Sequence, residues 1–234
     1  MKLRDRRTQP RAPSGRSRHR LVKAVSAPAL LPSAALVFAL INTAHAETTV
    51  PAHELQGKIA YCENCHGVSA QGFHGYYPIP RLAGQQPDYI KNQLQAFIEH
   101  RRTNNIMFNV AHVLSPPLLD ALTQSFFKLN PKPLAAPAPE SLIAAGKKIY
   151  EEGLPQSDVP PCAGCHGPEA KGEGQFPRLA GQLSDYVADK LTNWAKERGQ
   201  NPANPDTSAI MAPIAHSLNQ QQIKDVAAYL NHLD

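Results

Sequence analysis

Residues 162–167 have the sequence CAGCHG, in which two cysteines stand three residues apart and His166 follows the second one directly. The same frame occurs earlier as CENCHG at residues 62–67, where His66 holds the matching position. The chain contains 4 cysteines, so every cysteine belongs to one of these two motifs. An explanation of the motif must account for both the repetition and the histidine.

Cysteines at positions i and i+3 of a helical turn present both sulfur atoms to the same side, and several chemistries use that arrangement. A dithiol exchange pair does not require the histidine and expects a βαβ context, which the sequence lacks. A four-cysteine zinc site would have to join Cys65 and Cys162, which lie 97 residues apart. A disulfide within one motif closes a small strained loop and explains neither histidine.

Covalent attachment of haem explains the whole motif. The two thiols add to the two vinyl groups of one haem, and the following histidine becomes the proximal ligand of the iron. The sequence therefore predicts two haem c groups, attached and ligated by Cys62, Cys65 and His66 in the first motif and by Cys162, Cys165 and His166 in the second. Because haem then supplies much of the apolar core, we expect the apoprotein to be largely unfolded.

The chain also repeats itself outside the cysteine motifs. IPRLAGQQPDYI at residues 79–90 reappears as FPRLAGQLSDYV at residues 176–187. IMFNVAHVL at residues 106–114 reappears as IMAPIAHSL at residues 210–218. The three blocks keep the same order in both halves, which indicates an internal duplication.

The duplication predicts two small all-α domains, at residues 47–129 and 140–234. Residues 130–139, NPKPLAAPAP, separate them and contain four prolines, which favours a semi-rigid strap over a flexible linker. Apolar periodicity and helix start signals predict three helices in each half. In the first half they are residues 52–61, residues 88–101 and a segment that carries Leu119, Leu122, Phe126 and Leu129. In the second half they are residues 140–151, residues 184–198 and a segment after Asn219 that carries Ile223, Val226, Leu230 and Leu233.

Two methionines are candidates for the second axial ligand of each iron. Apart from Met1, the chain has only Met107 and Met211, at matching places in the two repeats. Thioether sulfur is a common axial ligand in electron-carrying cytochromes, so we predict that both methionines bind iron. His112 and His216, each five residues further on, are the alternative ligands.

Arg81 and Arg178 occupy equivalent positions in the PRLAGQ blocks. A guanidinium there can pair with a haem propionate through two parallel hydrogen bonds. The alternative is a surface arginine at the start of the next helix. The loop at residues 73–78, which includes His74, occurs only in the first half, and the sequence assigns it no role.

Residues 1–46 look like a secretory signal peptide. A basic start precedes an apolar run at residues 24–44, and Ala44-His45-Ala46 matches a signal-peptidase site, which predicts cleavage after Ala46 and export to the periplasm. An uncleaved membrane anchor stays an alternative.

Removal of this leader reverses the charge of the chain. The full sequence has 24 basic and 19 acidic residues, of which nine basic and one acidic lie in residues 1–46, so 15 basic and 18 acidic residues remain. The net charge therefore changes from +5 to about −3, and no basic stripe remains that would indicate a nucleic-acid partner.

Taken together, the duplicated CxxCHG halves, the PRLAGQ blocks, the IM segments and the proline-rich strap resemble the dihaem cytochrome c4 family over nearly all of residues 50–234. The resemblance implies two class I cytochrome c folds related by a pseudo-twofold axis, with the propionates directed toward the interface. It carries the attachment and ligand roles onto the cysteines, histidines and methionines named above. Two departures stand in the first half, where Asn109 replaces Pro213 and Ser125 replaces Tyr229 of the second.

The resemblance also implies a monomeric periplasmic electron carrier, with a donor such as a quinol-oxidising complex and an acceptor such as a terminal oxidase. Peripheral association with the membrane stays open. Four propionates added to an acidic chain predict docking to a basic partner that salt weakens. The alternatives are a haem subunit of a larger membrane oxidoreductase and a dihaem peroxidase-like enzyme with one open iron position.

Overall fold

The computed structural model describes residues 50–199, 203 and 207–234. The predicted signal peptide and its cleavage site therefore lie outside the described residues. Within the described ranges the regular structure is helical, and four isolated β-bridges are the only strand-like pairings. The all-α prediction is confirmed for this part of the chain. None of the helices in these ranges is both long and apolar enough to cross a membrane.

Within residues 50–129 the first half contains four α-helices: α1 (Ala52–His66), α2 (Pro87–Ile98), α3 (Asn105–Ala111) and α4 (Pro116–Lys128). Helices α2 and α4 begin with proline in the first turn, where the missing N–H costs no hydrogen bond. Helix α3 begins after Asn104, whose side-chain oxygen accepts a hydrogen bond from the backbone N–H of Met107 at 2.9 Å.

The second half contains α5 (Glu140–Glu152), α6 (Ala163–His166), α7 (Ser184–Thr192), α8 (Trp194–Glu197), α9 (Ser208–Ser217) and α10 (Gln220–Asn231). Asn219 and Gln222 form a capping box that fixes the start of α10. Eight residues of α10 are buried, so this helix is the centre of the second half.

Several predicted helix boundaries were wrong. Leu129 and Leu233, expected on the last helix of each half, lie just beyond the ends of α4 and α10. The helix expected at residues 184–198 is interrupted at Asn193, whose φ of −105° leaves the helical range. The helix expected at residues 88–101 ends at Ile98, because His100 has a φ of 55° and the chain reverses there. Helix α1 continues past the predicted end at residue 61 and includes the whole first cysteine motif.

The apolar core separates into two clusters, one in each half. The first consists of Ala70, Ala83, Ile90, Leu118, Leu122 and Phe126. The second consists of Ile149, Tyr150, Ala170, Ala180, Val187, Val226, Ala227, Tyr229 and Leu230. The proline-rich strap is fastened to the second half by the fully buried Asn231, which accepts from the N–H of Ala136 at 2.7 Å and donates to the carbonyls of Leu134 and Gln182 at 3.2 and 3.0 Å. The predicted domain limits themselves stay a prediction.

Candidate functional site

Both cysteine motifs end a helix at their histidine. Helix α1 ends at His66 and helix α6 at His166, and the glycine after each has a φ of 79°, which favours glycine and turns the chain sharply away. In each motif the first cysteine is half-buried and the second is exposed, and all four are free thiols. Burial raises the pKa of Cys62 and of Cys162, which keeps these thiols protonated at neutral pH.

The two histidines are oriented in the same way. His66 Nδ1 lies 2.8 Å from the carbonyl oxygen of Pro80, and His166 Nδ1 lies 3.0 Å from that of Pro177. A carbonyl only accepts hydrogen bonds, so Nδ1 carries the proton and Nε2 keeps its lone pair. Burial lowers the pKa of both histidines, which favours the neutral imidazole that ligates iron.

Arg81 and Arg178 provide a direct test of whether the surroundings of the two cysteine motifs fit a haem. The two side chains are buried, and each donates from Nε to a carbonyl two residues further on, at 3.1 Å. Nη1 of Arg81 and Nη2 of Arg178 are also buried but have no hydrogen-bond partner among the described residues. Native proteins rarely bury such donors unpaired, so this pair of guanidinium groups indicates a binding site for an anion.

The electrostatics of this arginine pair agree with that requirement. Burial, together with the charge of Arg178, lowers the pKa of Arg81 to about 10, and burial also lowers the pKa of Arg178. Two partly desolvated cations that repel each other are stabilised by carboxylates such as haem propionates. The free thiols, the free Nε2 atoms and the unpaired guanidinium donors therefore fit covalently bound haem.

The two methionines lie on short helices, Met107 on α3 and Met211 on α9, and both are half-buried. Their neighbours His112 and His216 are exposed, and His112 donates from Nδ1 to the Phe108 carbonyl at 3.0 Å. The placement favours the methionines over the histidines as axial ligands, although both ligand assignments stay predictions.

The other metal chemistry considered from the sequence finds no support in the described ranges. No group of three or more His, Cys, Asp or Glu side chains within residues 50–199, 203 and 207–234 is arranged to hold a metal ion. A zinc site that draws on both cysteine pairs would require such a group.

A buried polar cluster that no sequence motif indicated joins the two halves. Arg102 donates to Gln93 Oε1 at 2.8 Å and to the hydroxyl of Tyr186 at 2.9 Å, and Arg198 also donates to Gln93. Burial alone would raise the pKa of Tyr186, but the charges of Arg102 and Arg198 outweigh it and lower this pKa. The only sequence signal near this cluster is the tyrosine of the repeated DY pair, which is Tyr89 in the first half and Tyr186 in the second.

The loop that occurs only in the first half also contacts the second. His74 Nδ1 lies 3.1 Å from the carboxylate of Asp185, and His74 Nε2 lies 3.3 Å from the carbonyl of Leu134 in the strap. Tyr76 and Tyr77 beside it are exposed. No sequence pattern indicated this contact, because it joins residues 111 positions apart.

Comparison with known proteins identifies the family. Residues 143–234 match the family model for cytochrome c. A cytochrome c4 from Thiocapsa roseopersicina is 40% identical over 177 residues, which cover 74% of this chain and 86% of that protein. A thiosulfate dehydrogenase electron acceptor from Thiomonas intermedia is 34% identical over 175 residues, covering 73% and 77% of the two chains.

A solved structure matches as well. The reduced recombinant cytochrome c4 from Pseudomonas stutzeri superposes with a TM-score of 0.65 at 29% identity, covering 79% of this chain and 99% of that one. Its match over most of the chain agrees with the predicted all-α fold of two tandem domains. The chain therefore belongs to the cytochrome c4 family of haem-binding electron carriers.

Proposed function

We propose that this protein is a periplasmic electron carrier that binds one haem c in each half and passes single electrons between respiratory partners. The observation that supports this most directly is the duplication of the site. In both halves a free histidine Nε2, two free thiols and a buried guanidinium with an unpaired donor occur at equivalent positions.

Each residue of the site has a separate role in this proposal. Bound haem c supplies a one-electron iron couple, whose potential is raised by histidine and methionine ligation. The cysteines hold the porphyrin, and Arg81 and Arg178 bind its propionates. His66 and His166 ligate iron through Nε2, while the Pro80 and Pro177 carbonyls fix the orientation of the rings. Met107 and Met211 would provide the remaining iron ligand in each half.

The proposed organisation follows the sequence. Cleavage after Ala46 releases a chain that starts at Glu47, with domains at residues 47–129 and 140–234 and the strap at 130–139 between them. Intact mass of the purified periplasmic protein tests the cleavage site. A species that retains residues 24–44 would instead support an anchored subunit of a membrane complex.

Two partner classes are compatible with the acidic mature chain. The first is a terminal oxidase that accepts electrons, with a quinol-oxidising complex as donor. The second is a periplasmic dehydrogenase that donates them, which is favoured by the relative described as a thiosulfate dehydrogenase electron acceptor. In both cases we expect a basic docking surface on the partner, and hence a rate of electron transfer that falls as salt is added.

A carbon monoxide difference spectrum of the reduced protein, with haem counted per chain, tests the carrier function. Two haems and no spectral shift are expected, because both irons are closed by strong ligands. A shift at one haem would reveal an open iron position and favour the peroxidase-like enzyme. Met107→Ala and Met211→Ala serve as positive controls, since each is expected to open one iron to carbon monoxide.

A further inference from the structure

The two PRLAGQ blocks face each other, and the glutamine of each block binds the backbone of the other. Gln85 accepts from the N–H of Arg178 at 2.7 Å and donates to the Arg178 carbonyl at 2.9 Å. Gln182 accepts from the N–H of Arg81 at 2.9 Å and donates to the Arg81 carbonyl at 3.1 Å. We call each pair of bonds a glutamine clasp. Both glutamines and both arginines are buried.

Each glutamine clasp is linked to a proximal histidine through one peptide group. The carbonyl of Pro177 and the N–H of Arg178 belong to the same planar amide. The carbonyl accepts from His166 Nδ1 at 3.0 Å, while the N–H donates to Gln85 Oε1. A hydrogen-bonded path therefore runs from a side chain of the first half to the proximal histidine of the second.

The reciprocal path has the same construction. The carbonyl of Pro80 accepts from His66 Nδ1 at 2.8 Å, and the N–H of Arg81, in the same amide, donates to Gln182 Oε1. The two paths thus cross the interface in opposite directions. Each ends on a histidine whose Nε2 is free for iron.

Such a path has an electronic consequence. An acceptor on the N–H of an amide polarises it, so that its carbonyl oxygen becomes a stronger acceptor, and low local dielectric enhances the effect. A stronger acceptor at Nδ1–H raises the basicity of the imidazole. A more basic ligand favours ferric over ferrous iron and lowers the reduction potential.

We propose that Gln85 and Gln182 are positioning residues that tune the haem of the opposite half, Gln85 through His166 and Gln182 through His66. The inference rests on the proposed function, because it requires a haem in each half. It makes the potential of each haem depend on a residue that the other half contributes. Electron transfer between the halves is then sensitive to how closely they pack.

The test uses Gln85→Met and Gln182→Met in the holoprotein, because methionine has a similar length but does not accept from the arginine N–H. Redox titration followed by NMR, with the resonances of each haem assigned separately, gives both potentials. We expect Gln85→Met to raise the potential of the haem at Cys162 and Cys165, and Gln182→Met to raise that of the haem at Cys62 and Cys65. In the reduced protein, the Nδ1 proton of the opposite histidine is expected to move upfield, as its hydrogen bond weakens.

Two further variants separate this effect from a loosened interface. Gln86→Met removes a neighbouring contact between the halves, from Gln86 Nε2 to the carbonyls of Lys171 and Gly172 at 3.0 and 3.1 Å, without touching either proline–arginine amide. It is expected to leave both potentials near their original values. Gln85→Glu keeps an acceptor oxygen of greater strength and is expected to lower the potential of the second haem.

The outcomes divide cleanly. The inference would be overturned if Gln85→Met and Gln182→Met bound two haems per chain and left both potentials unchanged. It would also be overturned if either variant shifted only the haem of its own half, or if Gln86→Met shifted the potentials equally. A fall in the potential of the haem at Cys162 and Cys165 with Gln85→Met would also overturn it. The potential would then be set by water entering the interface rather than by loss of the glutamine clasp. Fewer than two haems in the unmodified protein would instead contradict the proposed function.

Discussion

Helix α1 of the first half and its equivalent in the second half, α5, pack differently against the rest of the protein. The pattern Gly-Lys-x-x-Tyr occurs on α1, from Gly57 to Tyr61, and on α5, from Gly146 to Tyr150. Tyr61 is 55% exposed, whereas Tyr150 is fully buried at 0%. A Cβ added at Gly57 would meet nothing within 4 Å, whereas one added at Gly146 would overlap the carbonyl of Asp225 on α10. The second half therefore has a tight helix crossing that the first half lacks.

The cause lies in the residues between this pattern and the cysteines. In the first half Cys62 follows Tyr61 directly, so α1 carries the attachment motif on its last turns and the motif sets its position. In the second half residues 151–161 intervene, and the motif has its own short helix, α6. Helix α5 is thereby free to pack closely against α10. We infer that the second half depends less on haem for its core than the first.

Removal of one haem at a time tests this difference most strongly. In a Cys62→Ser/Cys65→Ser variant we expect helices α1–α4 to lose their protection from amide hydrogen exchange, because little apolar packing remains. In Cys162→Ser/Cys165→Ser we expect α5 and α10 to keep about tenfold protection or more through their direct contact. Hydrogen-exchange mass spectrometry measures both. Equal loss of protection in the two variants would contradict the comparison.

Alanine at the two glycines gives the next largest effect. Gly146→Ala is expected to lower the free energy of unfolding by about 3 kcal/mol, because the added methyl group meets backbone that cannot move aside. Gly57→Ala, in an open helical position, is expected to raise it by about 0.5–1 kcal/mol through lower chain entropy. Denaturant unfolding followed by circular dichroism measures the unfolding free energy of both variants. Changes of the same sign would contradict the conclusion that only the second half has a tight helix crossing at this glycine.

Tyr150 and Tyr61 test the same difference between the two helices, with smaller expected changes in unfolding free energy. The Tyr150 hydroxyl donates to the Gly167 carbonyl at 2.5 Å, next to the second motif. Tyr150→Phe removes this hydrogen bond, while the carbonyl keeps its bond from the N–H of Ala170 at 3.1 Å. The loss is expected to cost about 1 kcal/mol of unfolding free energy. Tyr61→Phe, at an exposed position, is expected to change it by less than about 0.5 kcal/mol. The same denaturant experiment applies, and a similar cost for both would mean that the hydroxyl of Tyr61 is also bound.

The smallest expected effect concerns the loop that only the first half has. The contact between His74 and Asp185 is about 40% exposed on both sides, so solvent screens it. His74→Ala is expected to lower the free energy of unfolding by at most about 0.5 kcal/mol, and less at high salt. Tyr77→Ala on the same loop is the control, because Tyr77 is exposed. A cost above about 2 kcal/mol would show that this loop holds the halves together.

Several features were predictable because they depend on local sequence. The capping box at Asn219 and the prolines at the starts of α2 and α4 specify helix starts within a few residues. The break at Asn193 was missed, because a single asparagine also occurs inside helices and only its backbone φ of −105° shows that the helix ends there. His100 was missed for a similar reason, since a positive φ outside glycine has no reliable sequence signal.

The sequence by itself determined the chemistry of this protein, because covalent haem attachment needs two cysteines and a histidine at fixed spacing, and the duplication makes that pattern unmistakable. Only the tertiary structure decided how the two copies meet. The glutamine clasps, the Arg102 cluster and the His74 contact join residues that lie far apart in the chain. Such contacts depend on the packing of whole helices and loops, which local spacing does not encode.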